Sequence, residues 1–346
     1  MPSYEFQEEK RKFFTLEIID TDEKFFNFMK ALPKLYNDEQ GIWRGLPESR
    51  FKLYNSLQRK NLISRELNSI ENVVEYVIRQ TNLLSNWNKK LILKYFLNYG
   101  IENVPIYAKL SILQHHDCDT PLLDWTRNPN IALYFSTLPQ IASQIEDDID
   151  NYFSIYFIDK EHPNFKLNSK TGYEFFTSRN LKIMWKRFKI FKKICFKGKE
   201  INDYFNTDNS IINSIYKFPI QRIDDKEYKF INHYTMSNYR IAAQNGLFIL
   251  NLYPFFPLEE AIIYRAIELA KKPHPINISI ENTILESRKN FKCYDIHKKF
   301  IPQIIAALDS VQINITGETM FPDFKKLKDK ITFEKITKDI RKNDEN

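Results

Sequence analysis

Apolar residues recur along this chain at two periods, and the changes between them mark out strands and helices. Leu16-Glu17-Ile18-Ile19 predicts a strand. Phe25, Phe26, Phe28, Met29 and Leu32 then fall at helical spacing over 22–35, behind Asp20-Thr21-Asp22 as a cap. Gly41-Ile42-Trp43-Arg44-Gly45 predicts a short strand bounded by glycines, and residues 64–98 and 104–116 read as largely helical. Asn128 and Pro129 start another helix, since the amide caps it and the missing proline N–H costs nothing at the first position. Ile131, Ala132, Leu133 and Phe135 carry that helix into a core.

Beyond an acidic loop at 146–150, strands are expected over Tyr152–Ile158, Tyr216–Ile220, Gly246–Leu250 and Phe291–Ile296. Helices are expected over 258–271 and 300–311, and Phe321-Pro322-Asp323-Phe324 opens a terminal one. Arg240–Phe248 reads as a short helix, a glycine C-cap at Gly246 and the start of a strand. With no repeat and no clear linker, the pattern predicts an α+β fold, a mixed central sheet with helical N-terminal and C-terminal elaborations. Residues 1–40 read as a strand/helix extension, 41–330 as the main domain and 331–346 as a charged tail.

Composition sharpens this picture. A chain of 346 residues can bury a substantial core, and 28 Phe and 19 Tyr against 7 Gly exclude a glycine-rich phosphate loop. The net charge of +7 favours polyanionic partners. Cys118, Cys195 and Cys293 are isolated and odd in number, which points to a reducing compartment. No run approaches the roughly 18–20 apolar residues that span a bilayer. The expectation is a soluble cytoplasmic protein.

Candidate chemistry concentrates in residues 113–135. Asp124, Thr126 and Arg127 stand at or near a positively polarised helix N-terminus, a place suited to anions. Arg44, at the end of an apolar strand between glycines, offers a planar fork for phosphate or carboxylate, or a structural ion pair to Asp124. Gln244 falls in a last helical turn from which its amide could enter a pocket. His115-His116-Asp117-Cys118-Asp119 is contiguous and lacks zinc-ligand spacing, so no metal is expected. No Gly-X-Ser-X-Gly, His-Glu-X-X-His or Walker motif occurs. Leu181–Lys199 combines an apolar stripe with Lys182, Lys186, Arg187, Lys189 and Lys193, a solvated face, a nucleic-acid contact or a face lying on an anionic membrane.

Together these motifs resemble the FRG domain, a family with an aromatic-Arg-Gly signature. Trp43-Arg44-Gly45 carries that signature with Trp for Phe. Leu113-Gln114-His115 through Leu122-Leu123-Asp124-Trp125-Thr126 matches a second motif, as does Ala132-Leu133-Tyr134-Phe135. Arg240, Gln244, Gly246 and Phe248 fit a later one, and Phe300-Ile301-Pro302, Ile315 and Met320-Phe321-Pro322-Asp323 the C-terminal end, so the FRG-like region spans 41–330. Asp117, Asp119 and Pro121 depart from the usual Gly, Pro and Arg.

An arginine on an early strand, a hydroxyl strand leading into a helix, and a polar residue by a late strand also resemble the layout of ADP-ribosyltransferases. That resemblance implies NAD as substrate, with Arg44 on its phosphate or ribose and Thr126 orienting the ribose. Asp124 or Gln244 would replace the usual glutamate, and His115, Trp125 and Arg127 would help bind the dinucleotide. The reading is an NAD-consuming enzyme, a toxin or phage-defence effector acting on nucleic acid or protein. Two alternatives stand beside it: a non-catalytic nucleotide or nucleic-acid binding module, and an Arg44–Asp124 ion pair that only supports the fold.

Overall fold

Two segments, Tyr152–Asp159 and Gly246–Asn251, are buried at nearly every position. Such strands are stable only where both faces of a sheet are covered. The computed structural model describes residues 2–37, 41–87, 106–115, 118–138, 149–160, 162, 219–223, 241, 243–270, 279–310 and 315. Its strands are β1 (Thr15–Ile19), β2 (Gly41–Leu46), β3 (Leu122–Thr126), β4 (Tyr152–Asp159), β5 (Ile220–Ile223), β6 (Gly246–Asn251) and β7 (Phe291–His297). They form one seven-stranded sheet in the order β1-β7-β4-β2-β3-β6-β5. β1 runs parallel to β7, and every other pairing is antiparallel. The fold is α+β with a mixed sheet. The segment expected as an extension supplies an edge strand of that sheet.

The helices are α1 (Asp22–Asn37), α2 (Ser56–Ser64), α3 (Ile70–Trp87), α4 (Ile106–His115), α5 (Pro129–Ser136), α6 (Leu258–Ala270), α7 (Ile280–Lys289) and α8 (Ile301–Ser310). One sheet face is split between two clusters. Trp43, Phe153, Ile155, Phe157, Tyr294 and Ile296 pack under α1, α5 and α8, and Leu122, Phe248 and Leu250 pack under α3 and α4. The opposite face, with Leu123, Trp125, Tyr156, Ile158, Leu247 and Cys293, is covered by Tyr4, Phe14, Leu53 and α6.

Several expectations shift. The helix expected from residue 64 starts at Ile70, because residue 64 ends α2, whose Asn55–Gln58 capping box the periodicity did not expose. Phe26, assigned to the apolar stripe of α1, is 66% exposed. The strand expected to end at Ile220 begins there, with 216–218 outside the described residues. Asn245 (φ 44°), rather than Gly246, takes the left-handed position before β6. α7 was not foreseen, its apolar positions being sparse. Residues 181–199 with Lys182, Lys186, Arg187, Lys189 and Lys193, and also His116, Asp117, Arg240 and 316–346, lie outside the described residues.

Beneath the N-terminal segment the core is polar. Lys10, on a 3-10 helix over Gln7–Lys12, is fully buried and pairs with the equally buried Asp295 at 2.7 Å. Its ammonium also donates to Ser49 Oγ at 2.7 Å and Ser154 Oγ at 2.9 Å, and lies 5.5 and 5.7 Å from the Tyr4 and Tyr156 ring centroids. Ser154 and Asp295 are cross-strand partners on β4 and β7, so one lysine ties the N-terminal segment to two neighbouring strands of the sheet. Nearby, Glu259 is buried and accepts from Tyr4 Oη at 2.7 Å and the Leu53 N–H at 3.2 Å.

Two predictions follow from this buried chemistry. Lys10→Met strands the Asp295 carboxylate and should lower unfolding free energy by about 3–5 kcal/mol in denaturant titration, with partial recovery in the Lys10→Met/Asp295→Leu double variant. Burial pushes the Glu259 carboxyl up to about 7 from 4.5, so the folded chain holds a proton the unfolded chain releases. Its stabilisation is full below 4.5 and is lost as pH rises through about 7. His162, buried against Phe291, is pushed down to about 3 and acts in the opposite sense, losing its stabilisation as pH falls below 6.5. Stability should therefore fall more steeply with rising pH between 4.5 and 7 in the natural chain than in Glu259→Gln.

Candidate functional site

The sheet is weakest between its two central strands. β2 and β3 pair at Trp43↔Thr126, and no ladder continues toward Leu46 and Leu122. β2 is zipped along its whole length to β4 on its other side, as β3 is to β6. Where the β2–β3 ladder stops, the partly buried Arg44 side chain takes over, donating through Nη1 to the Asp124 backbone carbonyl. Its Nε is buried without a partner. Burial holds the guanidinium pKa below its ordinary value, Asp124 opposes that shift, and Arg59 adds to it.

The order β2-β3-β6 sets the strands bearing Arg44, Asp124-Trp125-Thr126 and the Gln244–Gly246 corner side by side. Within that arrangement the side chains separate. By register Arg44 shares a face with Tyr156, while Thr126, and with it Asp124, shares the other with Trp43. The proposed Arg44–Asp124 ion pair is therefore not formed between side chains: the arginine takes the Asp124 carbonyl, and the exposed carboxylate accepts from Gln114 Nε2 at 3.0 Å. Gln114 is held in turn by the Thr120 hydroxyl.

Thr126 is 5% exposed and its hydroxyl is engaged twice. It donates to the Gln244 carbonyl at 2.7 Å and accepts from the Asn128 N–H at 3.0 Å, locking the end of β3 to the corner before β6. Asn128 caps α5 as expected, accepting from the Asn130 N–H. Trp125 is buried in the core beside Leu247 and Ile249, its indole N–H unpartnered. Arg127 and Gln244 are half-buried at the same corner, where the Arg127 N–H donates to the Asn245 carbonyl at 3.0 Å. His115 is the last residue of α4.

Residues 39–144 match the family model of the FRG domain. The chain carries an FRG domain. No curated protein and no solved structure matches the chain. The matched residues contain β2, β3, Arg44, Gln114 and Asp124, so the FRG domain includes both walls of the seam.

The glycine of the FRG signature has a packing role. A Cβ on Gly45 would collide with the Ala132 carbonyl oxygen, so the glycine lets α5 lie directly on β2. The close approach read from the sequence is thus made by a helix backbone. Arg59 on α2 was missed by the sequence reading, although the Asn55-X-X-Gln58 capping pattern signals the helix that carries it. Burial lowers the Arg59 pKa, against the pull of Asp119 and Asp124. A cavity of about 290 Å³ lies between α2 and α3 of the FRG domain, lined by Lys60, Asn61, Glu66, Glu75, Tyr76 and Arg79, and by none of the expected site residues. Among the described residues no cluster of three His, Cys, Asp or Glu side chains suits a metal, and no helix is long and apolar enough to cross a membrane.

Gly45→Ala should force α5 off β2 and lower stability by about 1–3 kcal/mol, the usual range for overpacking. Thermal unfolding of the purified variant measures this. An unchanged melting temperature would show that the FRG glycine is not needed for packing.

Proposed function

We propose that this FRG-domain chain is an NAD-consuming enzyme of the ADP-ribosyltransferase type. One observation carries the reading: the strands bearing Arg44, Asp124 and the Gln244 corner are three consecutive strands at the centre of the sheet, with an unzipped seam between the first two. The chemistry breaks the bond between nicotinamide and ribose C1′, the electron pair leaving on nicotinamide. An acceptor oxygen or nitrogen then bonds to C1′ and gives up its proton. Positive charge grows on the ribose as the bond lengthens, so the site needs a fixed anion beside it and a cation for the phosphates.

Arg44 supplies the cation. Asp124 supplies the anion, because its carboxylate is exposed at the seam and held at one oxygen by Gln114. Gln244 is neutral and suits a hydrogen bond to a ribose hydroxyl. Thr126 serves by fixing the corner, its hydroxyl being committed to the Gln244 carbonyl. The second reading, nucleotide binding without turnover, is favoured by the same neutral Gln244 standing on the third strand.

Incubation with NAD labelled on nicotinamide, with protein and nucleic-acid acceptors, separates the two. The enzyme reading expects nicotinamide release, lowered by about 10²–10³-fold in Asp124→Asn, the usual effect of removing one charge-stabilising group. Arg44→Lys should raise KM more than it lowers kcat. NAD binding without release establishes the binding module, and absence of both removes the assignment.

A further inference from the structure

The short connection over 65–69 joins α2 to α3, and the two helices leave between them the cavity of about 290 Å³, a volume suited to a small molecule. Each helix turns one stripe toward it. Lys60, Asn61 and Ser64 follow Leu57 on α2, and Glu75, Tyr76 and Arg79 follow Asn72 on α3, both at the i, i+3, i+4, i+7 spacing of a single face. Facing stripes of this kind usually close an apolar joint. Here they are mostly polar, and space remains between them.

The shape of the cavity is fixed by its own hydrogen bonds. Leu57 and Asn61 are buried at its base. Asn61 Oδ1 accepts from the Leu67 N–H and its Nδ2 donates to the Leu67 carbonyl, both at 2.8 Å, so the connection is pinned to α2. Asn72 Oδ1 accepts from Ser69 Oγ at 3.2 Å and pins the same connection to α3. A site formed in advance loses less on binding than one that must first be ordered.

Charge in the lining is balanced. Lys60 and Arg79 are its cations, and Glu66 and Glu75, exposed at the rim, are its carboxylates. Lys60 lies 3.6 Å from Asp119, beyond hydrogen-bond reach, which leaves its ammonium with donors to give. Among the described residues neither Glu66 nor Glu75 makes an ion pair. Two carboxylates disfavour a phosphate chain, whereas a ligand carrying both charges answers the whole lining. Glu75 and Arg79 stand four apart on α3, so their tips serve neighbouring groups of one ligand, as the ammonium and carboxylate of an α-amino acid are. The half-buried Tyr76 ring, with the Arg79 guanidinium 5.9 Å from its centroid, joins Leu57 and Leu67 as an apolar surface.

We propose that the α2–α3 cavity binds an α-amino acid zwitterion with an apolar side chain. Its ammonium meets Glu66 and Glu75, its carboxylate meets Lys60 and Arg79, and its side chain lies on Tyr76, Leu57 and Leu67. The cavity shares no lining residue with the β2–β3 seam, so this site goes beyond the proposed reaction and is independent of it.

Ligand-observed NMR titration of the full chain with L-phenylalanine, 2-phenylethylamine and 3-phenylpropionate tests the site. L-Phenylalanine should bind about 10-fold more tightly than either single-charge analogue, the lower end of the range for hydrogen bonds between charged groups. Glu75→Gln and Lys60→Gln should each weaken it by a similar factor. Absent L-phenylalanine binding, equal affinity for either analogue, or affinity unchanged in both variants overturns the site. The analogue comparison uses the natural chain alone, so it decides the matter even where a variant fails to fold.

Discussion

A single cross-strand pair, Trp43↔Thr126, joins the two halves of the sheet. On one side stand β1, β7, β4 and β2, and on the other β3, β6 and β5. Backbone ladders are what normally hold neighbouring strands in register. Here most of that bonding is missing at the centre, and side chains replace it. Arg44 reaches the Asp124 carbonyl, Thr126 bonds the β6 corner, and α5 spans the join through Ala132 against Gly45. The short central pairing is therefore part of the architecture, and the FRG signature residues Trp43, Arg44 and Gly45 lie on one of the two strands that make it.

The opposite requirement governs the N-terminal segment. Its 3-10 helix is short and cannot hold itself on the sheet by its own hydrogen bonds. Tyr4 and Phe14 bury against the core, while Lys10 runs into the sheet to meet Asp295, Ser49 and Ser154. A buried pair of this kind adds little net stability over an apolar one, but removing either partner is costly. Its contribution is positional, fixing one segment onto two strands. The same segment covers the face on which Arg44 lies by register, beside Tyr156.

Local chemistry was legible where it repeats over several residues. Largely apolar runs gave β4 and β6 close to their observed ends, the more mixed β7 was placed as closely, and Asn128-Pro129 located the start of α5. α2 was missed because its stability comes from the Asn55–Gln58 cap and from contacts with Thr120, Tyr253 and Phe256, not from an apolar stripe. Phe26 was misplaced because five apolar residues in eight cannot all face one side of a helix. The candidate site was legible as residue types: Arg44, Asp124, Thr126 and Gln244 were singled out in sequence. Their partners were not, because Gln114, the Thr120 hydroxyl that holds it and the Gln244 carbonyl come from elements apart in the chain.

The sequence by itself determined the α+β class, most of the strands and the FRG signature, since hydrophobic period, caps and short motifs act within a few residues. Only the tertiary structure decided that Arg44 meets a carbonyl and not a carboxylate, that Thr126 is committed to a corner, and that the Asp124 carboxylate is held by Gln114. Those outcomes depend on strand order and register. They are fixed by packing between residues far apart in the chain, and a shift of one residue in register would exchange the faces on which these groups lie.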